Sequence, residues 1–256
     1  CPNCGHRTFV PFLDTETGEV LIGYGRCDRE IKCGYFRHPK DGTPVFRTIL
    51  PIQSPKKIIE TDISKEFEEL PNNFENDELY RFLCTLFPTE KVKQLFEKYK
   101  VKNFLGYTAF PQIDGNGTIW NAKLIKYKSD GHRDKSLGAS WLHSYFKKGV
   151  SNKFYFGWHL VKQSKKVFVV ESEKTALICN LHFGDEAIFI ATGGVHLLRP
   201  ERLQNFDVVL IPDADAVEKW ARFGFPFIDV RKLGKLDFSG FDIADIIISQ
   251  TNKEGL

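Results

Sequence analysis

The order of apolar and polar positions divides the chain into stretches of different character. Between Thr8 and Tyr24, apolar runs flank Asp14-Thr15-Glu16-Thr17-Gly18, which predicts two strands joined by a hairpin turn. From about Pro39 to Asn76 the chain is rich in Pro, Lys, Glu and Asn with little periodicity, the character of a linker. Helical spacing then begins. Leu79, Phe82, Leu83 and Leu86 share one face, and beyond the Pro88-Thr89 break Val92, Leu95, Phe96 and Tyr99 repeat it. Two consecutive short amphipathic helices are expected, the second opened by Thr89 as its N-cap.

From Tyr107 to Trp158 the pattern turns to short strands, with Gly115-Asn116-Gly117 as a turn between 110–113 and 118–127. The last hundred residues alternate aliphatic runs at 167–170, 187–191, 208–211 and 227–229 with helical stretches. That alternation is the signature of a parallel sheet covered by helices.

At 256 residues the chain is long enough for two or three structural units. Hydrophobic residues at 42% and charged residues at 27% place it among folded globular proteins and exclude extensive disorder. No apolar run approaches the roughly 18 residues that would cross a bilayer, and no charged-then-apolar secretory pattern opens the chain. A soluble, cytoplasmic protein without a membrane partner is expected.

Four of the six cysteines fall within the first 33 residues; Cys84 and Cys179 stand alone in apolar helical patterns and read as core filler. Cys1-Pro2-Asn3-Cys4 is a knuckle whose two thiolates can face one ion, and Cys27 and Cys33 lie across the expected hairpin. Four thiolates suit a closed, structural zinc site. Because five residues separate Cys27 from Cys33, His6 or His38 is an alternative ligand, and a small core of reduced cysteines is the alternative to any metal. The expected role is to staple about forty residues that could not fold alone and to present the hairpin to DNA or RNA.

Acidic residues recur where aliphatic runs end. The run at 167–170 leads into Glu171-Ser172-Glu173-Lys174-Thr175-Ala176, and 208–211 leads through Pro212 into Asp213-Ala214-Asp215. In open α/β sheets the carboxyl end of the strands is where ligands sit. Alternate residues of an extended segment point the same way, so Asp213 and Asp215 can share one hard cation. Between these runs Ala191-Thr192-Gly193-Gly194 gives a third strand a glycine turn that lets backbone approach phosphate, and Asp242 and Asp245 form a last acidic pair. Taken singly, each acid reads more readily as a solvated loop residue or a helix cap; it is their order together that points to a site.

The order strand-Glu, strand-Gly-Gly, strand-Asp-x-Asp resembles the TOPRIM domain shared by bacterial primases, topoisomerases and some nucleases, over roughly Lys165 to the end of the chain. The resemblance implies Glu171 as the acid/base glutamate and Asp213 and Asp215 as Mg2+ or Mn2+ ligands. Two positions depart from the pattern, Ser172 where primases usually have Gly and Glu218 where a Gly often follows the aspartate pair. The whole chain is similar to zinc-ribbon, TOPRIM-containing proteins carried by mobile elements of anaerobic bacteria, through Cys-Pro-Asn-Cys-Gly, Arg26-Cys27-Asp28-Arg29-Glu30, Cys33-Gly34-Tyr35, Phe156-Gly157-Trp158-His159, Glu171 to Ala176 and Gly240 to Asp245.

The implied organisation is a zinc ribbon at 1–43, a linker at 44–76, a helical pair with a β-rich primase-like middle region at 77–160, and an α/β TOPRIM-like domain with a parallel sheet at 161–256. Nucleic acid is the expected partner of the middle. Residues 121–153 hold Lys123, Lys126, Lys128, Arg133, Lys135, Lys147, Lys148 and Lys153 against Asp130 and Asp134, a net +6 where the whole chain carries +3. Tyr127, Trp141, Tyr145, Phe146 and Tyr155 interleave with them, which suits a backbone-tracking groove with stacking platforms for a single strand; a solvated hairpin face is the plainer reading. Two functions follow. One is a metal-dependent nucleotidyl or phosphoryl transferase, priming first and nuclease second, with Lys174 meeting phosphate oxygens. The other is a catalytically degenerate module that binds nucleic acid or a replication or mobilisation partner such as a helicase.

Overall fold

A computed structural model describes residues 1–14, 20–42, 61–148, 154–163, 165–234 and 240–254. The turn expected at 14–18 falls largely outside them, as do residues 43–60 of the expected linker and Lys153. The chain divides into two compact units, Cys1–Lys57 and Ile58–Leu256.

In the first unit β1 (Phe9–Leu13) and β2 (Val20–Cys27) pair antiparallel, with Phe9 opposite Cys27, Leu13 opposite Val20 and a bulge between Pro11 and Phe12. A one-turn helix, α1 (Glu30–Cys33), leads into β3 (Phe36–Arg37), which adds to the other edge of β2.

The second unit opens with α2 (Ser64–Glu68), inside the stretch read as linker from its composition. Few apolar residues lie there, but Ile63 and Phe67 are fully buried. They pack with Ala109, Ile113, Ile119 and Leu124, and the Ile63 amide donates to the Ile119 carbonyl at 2.8 Å. α3 (Glu78–Leu86) and α4 (Thr89–Lys98) are the amphipathic pair. Asp77 caps α3, accepting from the amides of Leu79 at 2.9 Å and Tyr80 at 3.2 Å. For α4 the expected cap is corrected: Pro88 occupies the N-cap, no side chain caps it, and Thr89 already lies in the first turn.

Next come β4 (Lys102–Phe104), β5 (Tyr107–Ile113), β6 (Ile119–Ile125), β7 (Ala139–Trp141) and the short α5 (Leu142–Tyr145), the strands forming an antiparallel sheet in chain order. The turn between β5 and β6 is organised by Asp114, whose Oδ1 accepts from the amides of Asn116 and Thr118, both at 2.9 Å. Then β8 (Val167–Val170), α6 (Glu173–Phe183), β9 (Ile188–Ala191), β10 (Val208–Leu210), α7 (Val217–Ala221) and α8 (Ile243–Glu254) form an α/β arrangement. Its three strands are parallel in the order β10-β8-β9. The aliphatic run at 227–229 contributes a single parallel bridge, Phe227 to Leu210.

The parallel and antiparallel sheets are stitched together by Phe156, which bridges Gln112 of β5 on one side and Ala191 of β9 on the other. This explains the Phe156-Gly157-Trp158 sequence. Gly157 has φ +82°, and a Cβ there would come within 3.0 Å of the Phe189 carbonyl oxygen and 2.9 Å of the Tyr99 ring, so only glycine lets the crossing strand approach this closely. Both sheet faces are covered. Val167, Val169 and Ile190 pack with Leu203 and Trp220 on one side, while Val170, Phe189 and Ala191 face α6 and the aromatic cluster of Phe96, Tyr99, Phe110 and Phe156 on the other. α6 is therefore buried along most of its length, with Thr175 through Asn180 all buried.

Candidate metal centres and basic surface

The four N-terminal cysteines converge. Cys1 comes from the knuckle, Cys4 from its end, Cys27 from the last residue of β2 and Cys33 from the end of α1. The one-turn helix takes up the long spacing between Cys27 and Cys33, its Cys33 amide donating to the Arg29 carbonyl at 2.7 Å. All four sulfurs lie within 4.8 Å of one another. Cys1 and Cys33 are 3.6 Å apart and Cys4 and Cys27 are 3.9 Å apart. A tetrahedron with Zn–S bonds near 2.3 Å has edges of about 3.8 Å, so this is the spacing of a zinc tetrathiolate. The Asn3 amide reaches Cys33 Sγ at 3.6 Å and the Thr8 hydroxyl lies 3.3 Å from Cys27 Sγ, the outer hydrogen bonds such a site uses to orient its ligands.

The histidine alternatives fall away. His6 turns its Nδ1 to the Cys4 carbonyl at 2.8 Å, and His38 packs on Phe12 while its Nδ1 accepts from the Lys40 amide at 3.2 Å.

The second unit brings acids to the carboxyl edge of its parallel sheet. Glu171 leaves β8 and is 9% exposed, and its Oε1 accepts from the Asp213 amide at 3.3 Å. Asp213 follows β10 after Ile211 and Pro212. The 240–242 segment is drawn against it, because the Ala214 amide donates to the Phe241 carbonyl at 2.9 Å. Asp213 Oδ1 is buried without a hydrogen-bond partner. Burial, then the nearby carboxylates of Glu171, Asp242, Asp215 and Asp245, push the Asp213 carboxyl up to about 9. Glu171 is raised by burial, against the pull of the Asp213 amide. Asp215 is exposed.

Asp242 and Asp245 answer each other at the start of α8. The Asp245 amide donates to Asp242 Oδ1 at 2.9 Å and the Asp242 amide donates to Asp245 Oδ2 at 3.0 Å, a reciprocal cap. Thr175 of α6 also donates to Asp242. These two acids hold the helix as well as adding charge to the edge. Among the described residues, the four cysteines are the one group of three or more potential ligands with all ligand atoms within 4.8 Å; Glu171, Asp213 and Asp215 are not drawn that close.

The residues expected to meet nucleic acid have different surroundings. Lys123 is buried on β6 and makes an ion pair with Glu173, donating to its two carboxylate oxygens at 3.0 and 3.1 Å and to the Gly193 carbonyl at 2.9 Å. It ties the Gly193-Gly194 turn and the start of α6 to the antiparallel sheet, so it is not a surface cation. Glu173 went unassigned in the sequence. The signal was the alternation of β6, which puts Lys123 on the buried face of Ile125, opposite to that of Ala122 and Leu124, and so demands a buried counterion.

Lys126 donates to the Gly106 carbonyl at 2.6 Å and stands over the Tyr107 ring. Lys148 is half-buried and pairs with Glu66 at 2.6 Å. Lys128, Arg133, Lys135 and Lys147 are exposed. Lys174 donates to the Gly131 carbonyl at 3.2 Å.

No helix of the described residues is long and apolar enough to cross a membrane. Residues 1–46 match a zinc beta-ribbon finger family, in agreement with the thiolate geometry. Solved structures to which the chain shows similarity include the primase fragment of the bacteriophage T7 primase-helicase protein, with TM-score 0.44 and 18% identity over 63% of this chain and 68% of that one. Another is the Aquifex aeolicus primase, zinc-binding and RNA polymerase domains, with TM-score 0.38 and 13% identity over 66% of this chain and 48% of that one. No curated protein matches the sequence. Residues 77–214, more than half of the chain and spanning α3 to Ala214, match the family described as domain of unknown function DUF6371, and the chain belongs to that family.

Proposed function

We propose that this is a primase-like, cytoplasmic nucleic-acid protein of a mobile element, whose TOPRIM-like edge carries out metal-dependent nucleotidyl transfer on a single strand of DNA or RNA. One observation carries the reading: an Asp213 oxygen, buried and without a hydrogen-bond partner, sits among carboxylates at the carboxyl edge of a parallel sheet. Hard oxygen donors with one unsatisfied site fit Mg2+ or Mn2+. Glu171, Asp213 and Asp215 are the residues that would hold the ion, which when bound would neutralise phosphate charge. Glu171, its carboxyl raised by burial, is suited to accept a proton from an attacking hydroxyl near neutral pH. The ribbon would present the strand, and a helicase or other replication or mobilisation protein is the partner class that the pairing of ribbon and TOPRIM implies.

A second reading, a degenerate binding module, draws support from two lysines that already have protein partners: Lys123 is engaged by Glu173, and Lys174 by Gly131. The experiment that separates the readings is a melting curve of the parent, Asp213→Asn and Asp215→Asn proteins with and without manganese, alongside primer-synthesis and nicking assays. The enzyme reading expects a manganese-induced rise in the parent that both variants lose, together with one of the two activities. A normal metal response with neither activity selects the binding module, and identical responses in all three proteins reject the site.

A further inference from the structure

The hairpin that follows β6 carries three exposed basic side chains, Lys128, Arg133 and Lys135, and its shape is fixed at both ends. At its base Tyr127 is buried and bridges Arg133, with the Asp134 amide donating to the Lys126 carbonyl at 2.8 Å and the Lys128 amide to the His132 carbonyl at 2.9 Å. Burial first, and then the carboxylates of Glu173, Asp77 and Asp242, push the Tyr127 hydroxyl well above its ordinary value, and its ring packs edge-on against Phe110 of β5.

The tip is unusual for a polar turn, because Gly131 is buried. Its backbone, at φ +76°, lies against the Phe82 ring of α3, where a Cβ would come within 2.4 Å of two ring carbons. From the other side, Lys174 Nζ donates to the Gly131 carbonyl at 3.2 Å. Lys174 lies in the first turn of α6, three residues beyond Glu171.

We propose that Lys174 is a positioning residue which, with Phe82, clamps Gly131 and so holds the basic hairpin alongside the carboxylate edge in a preset geometry for a polyanion. The inference rests on the nucleic-acid reading above and replaces direct phosphate binding as the role of Lys174. A loop fixed before binding loses less freedom on binding, so releasing the clamp weakens affinity and the engagement of phosphates even though all three hairpin cations remain.

The test measures binding of a short fluorescent single-stranded DNA and its RNA counterpart across about 50 to 200 mM salt, together with amide hydrogen exchange of residues 128–133. Lys174→Met and Phe82→Ala, which attack the clamp from opposite sides, are expected to weaken binding about tenfold, to flatten the salt slope by about 0.7 for each phosphate that is no longer neutralised, and to speed exchange in the hairpin. Lys174→Arg, which keeps a donor, is expected to behave as the parent. Parent-like affinity and slope in both Lys174→Met and Phe82→Ala would overturn the clamp. Weakened binding with unchanged exchange in Lys174→Met would overturn it too, by making Lys174 a direct phosphate ligand. The joint Lys128→Ala, Arg133→Ala, Lys135→Ala variant separates the two levels. An unchanged slope in that variant rejects the nucleic-acid reading itself, whereas a flattened slope with silent clamp variants rejects only the positioning role.

Discussion

The thiolates of the first unit and the carboxylates of the second are two answers to gathering like charges in one place. In the ribbon the sulfurs sit at tetrahedral spacing, with Cys1 and Cys33 3.6 Å apart, and the surrounding fold is thin. Among its described residues Cys27 is the one hydrophobic side chain that is buried, while Val10, Leu13, Val20, Ile22 and Phe36 are exposed. Such a unit cannot stabilise itself by burial, and the metal supplies its folding free energy. The second unit has three apolar clusters, and it holds acids in an unfavourable arrangement because the core offsets the cost. Its carboxylates are not drawn as close together as the four sulfurs, which lie within 4.8 Å of one another.

The largest effect expected from this contrast is on the ribbon. Elemental analysis of unchelated protein should find one zinc per chain. Cys4→Ser, or a strong chelator, should unfold Cys1–Lys57 and leave Ile58–Leu256 folded, since structural zinc is typically worth about 10–16 kcal/mol to such a module. Far-UV and near-UV spectra with a residual cooperative melt would show it. A ribbon that keeps its structure without zinc would break the contrast at its first term.

In the second unit the largest single loss should come from Lys123 rather than from any acid. Removing it leaves the Glu173 carboxylate buried and unpaired, at a cost of about 3–5 kcal/mol in a denaturant melt of Lys123→Ala. Lys148→Ala removes a partly exposed partner of Glu66 and should cost about 1 kcal/mol or less. The two lysines look alike in sequence. Equal costs would mean that the buried pair is not structural.

Metal should act on the acid edge in the opposite sense to mutation. Manganese at about a hundred times its dissociation constant stabilises a binding-competent fold by about 2.7 kcal/mol, so the parent melt should rise. Asp213→Asn should raise the apo melt, because above about pH 4 the native chain must take up a proton at Asp213 to fold and the amide need not, while abolishing the metal-induced rise. Any transferase activity should fall about a thousandfold in that variant, since metal stabilisation of transition-state charge is worth several kcal/mol. A variant that is destabilised in the apo form and still responds to manganese would show that Asp213 is an ordinary structural acid.

The legible parts of this molecule are those encoded locally. Amphipathic spacing placed α3 and α4, aliphatic runs placed β8, β9 and β10, and the Cys-Pro-Asn-Cys knuckle with Cys27 and Cys33 marked the thiolate cluster. What escaped depends on residues distant in sequence. α2 is a helix because Ile63 and Phe67 fill a gap beneath β5 and β6, which no local pattern states. Lys123 looks like one basic residue among eight until Glu173, fifty positions away, is seen against it. Asp242 and Asp245 read equally well as ligands or caps, and the reciprocal hydrogen bonds at α8 show the capping half of that choice.

The effect that best separates the two regions is the dependence on pH. In the apo protein the Asp213 carboxyl is raised to about 9 by burial and by Glu171, against about 3.9 in an unfolded chain. The folded state therefore holds a proton that the unfolded state has released. Stability from this group is fully present below about pH 4, declines through the neutral range, and is lost as pH rises through about 9. Asp213→Asn cannot release a proton and should flatten that decline. Cation binding must displace the same proton, so manganese affinity should strengthen by up to about tenfold per pH unit between pH 6 and pH 8, and one proton should appear per ion bound. Titration calorimetry in buffers of different ionisation enthalpy counts that proton directly. At the ribbon the dependence has another origin: its thiolates must deprotonate to hold zinc, so acid should remove zinc and unfold the first unit. Manganese affinity that is flat from pH 6 to pH 8, with no proton released, would mean that Asp213 is already ionised and that its buried oxygen is not waiting for a cation.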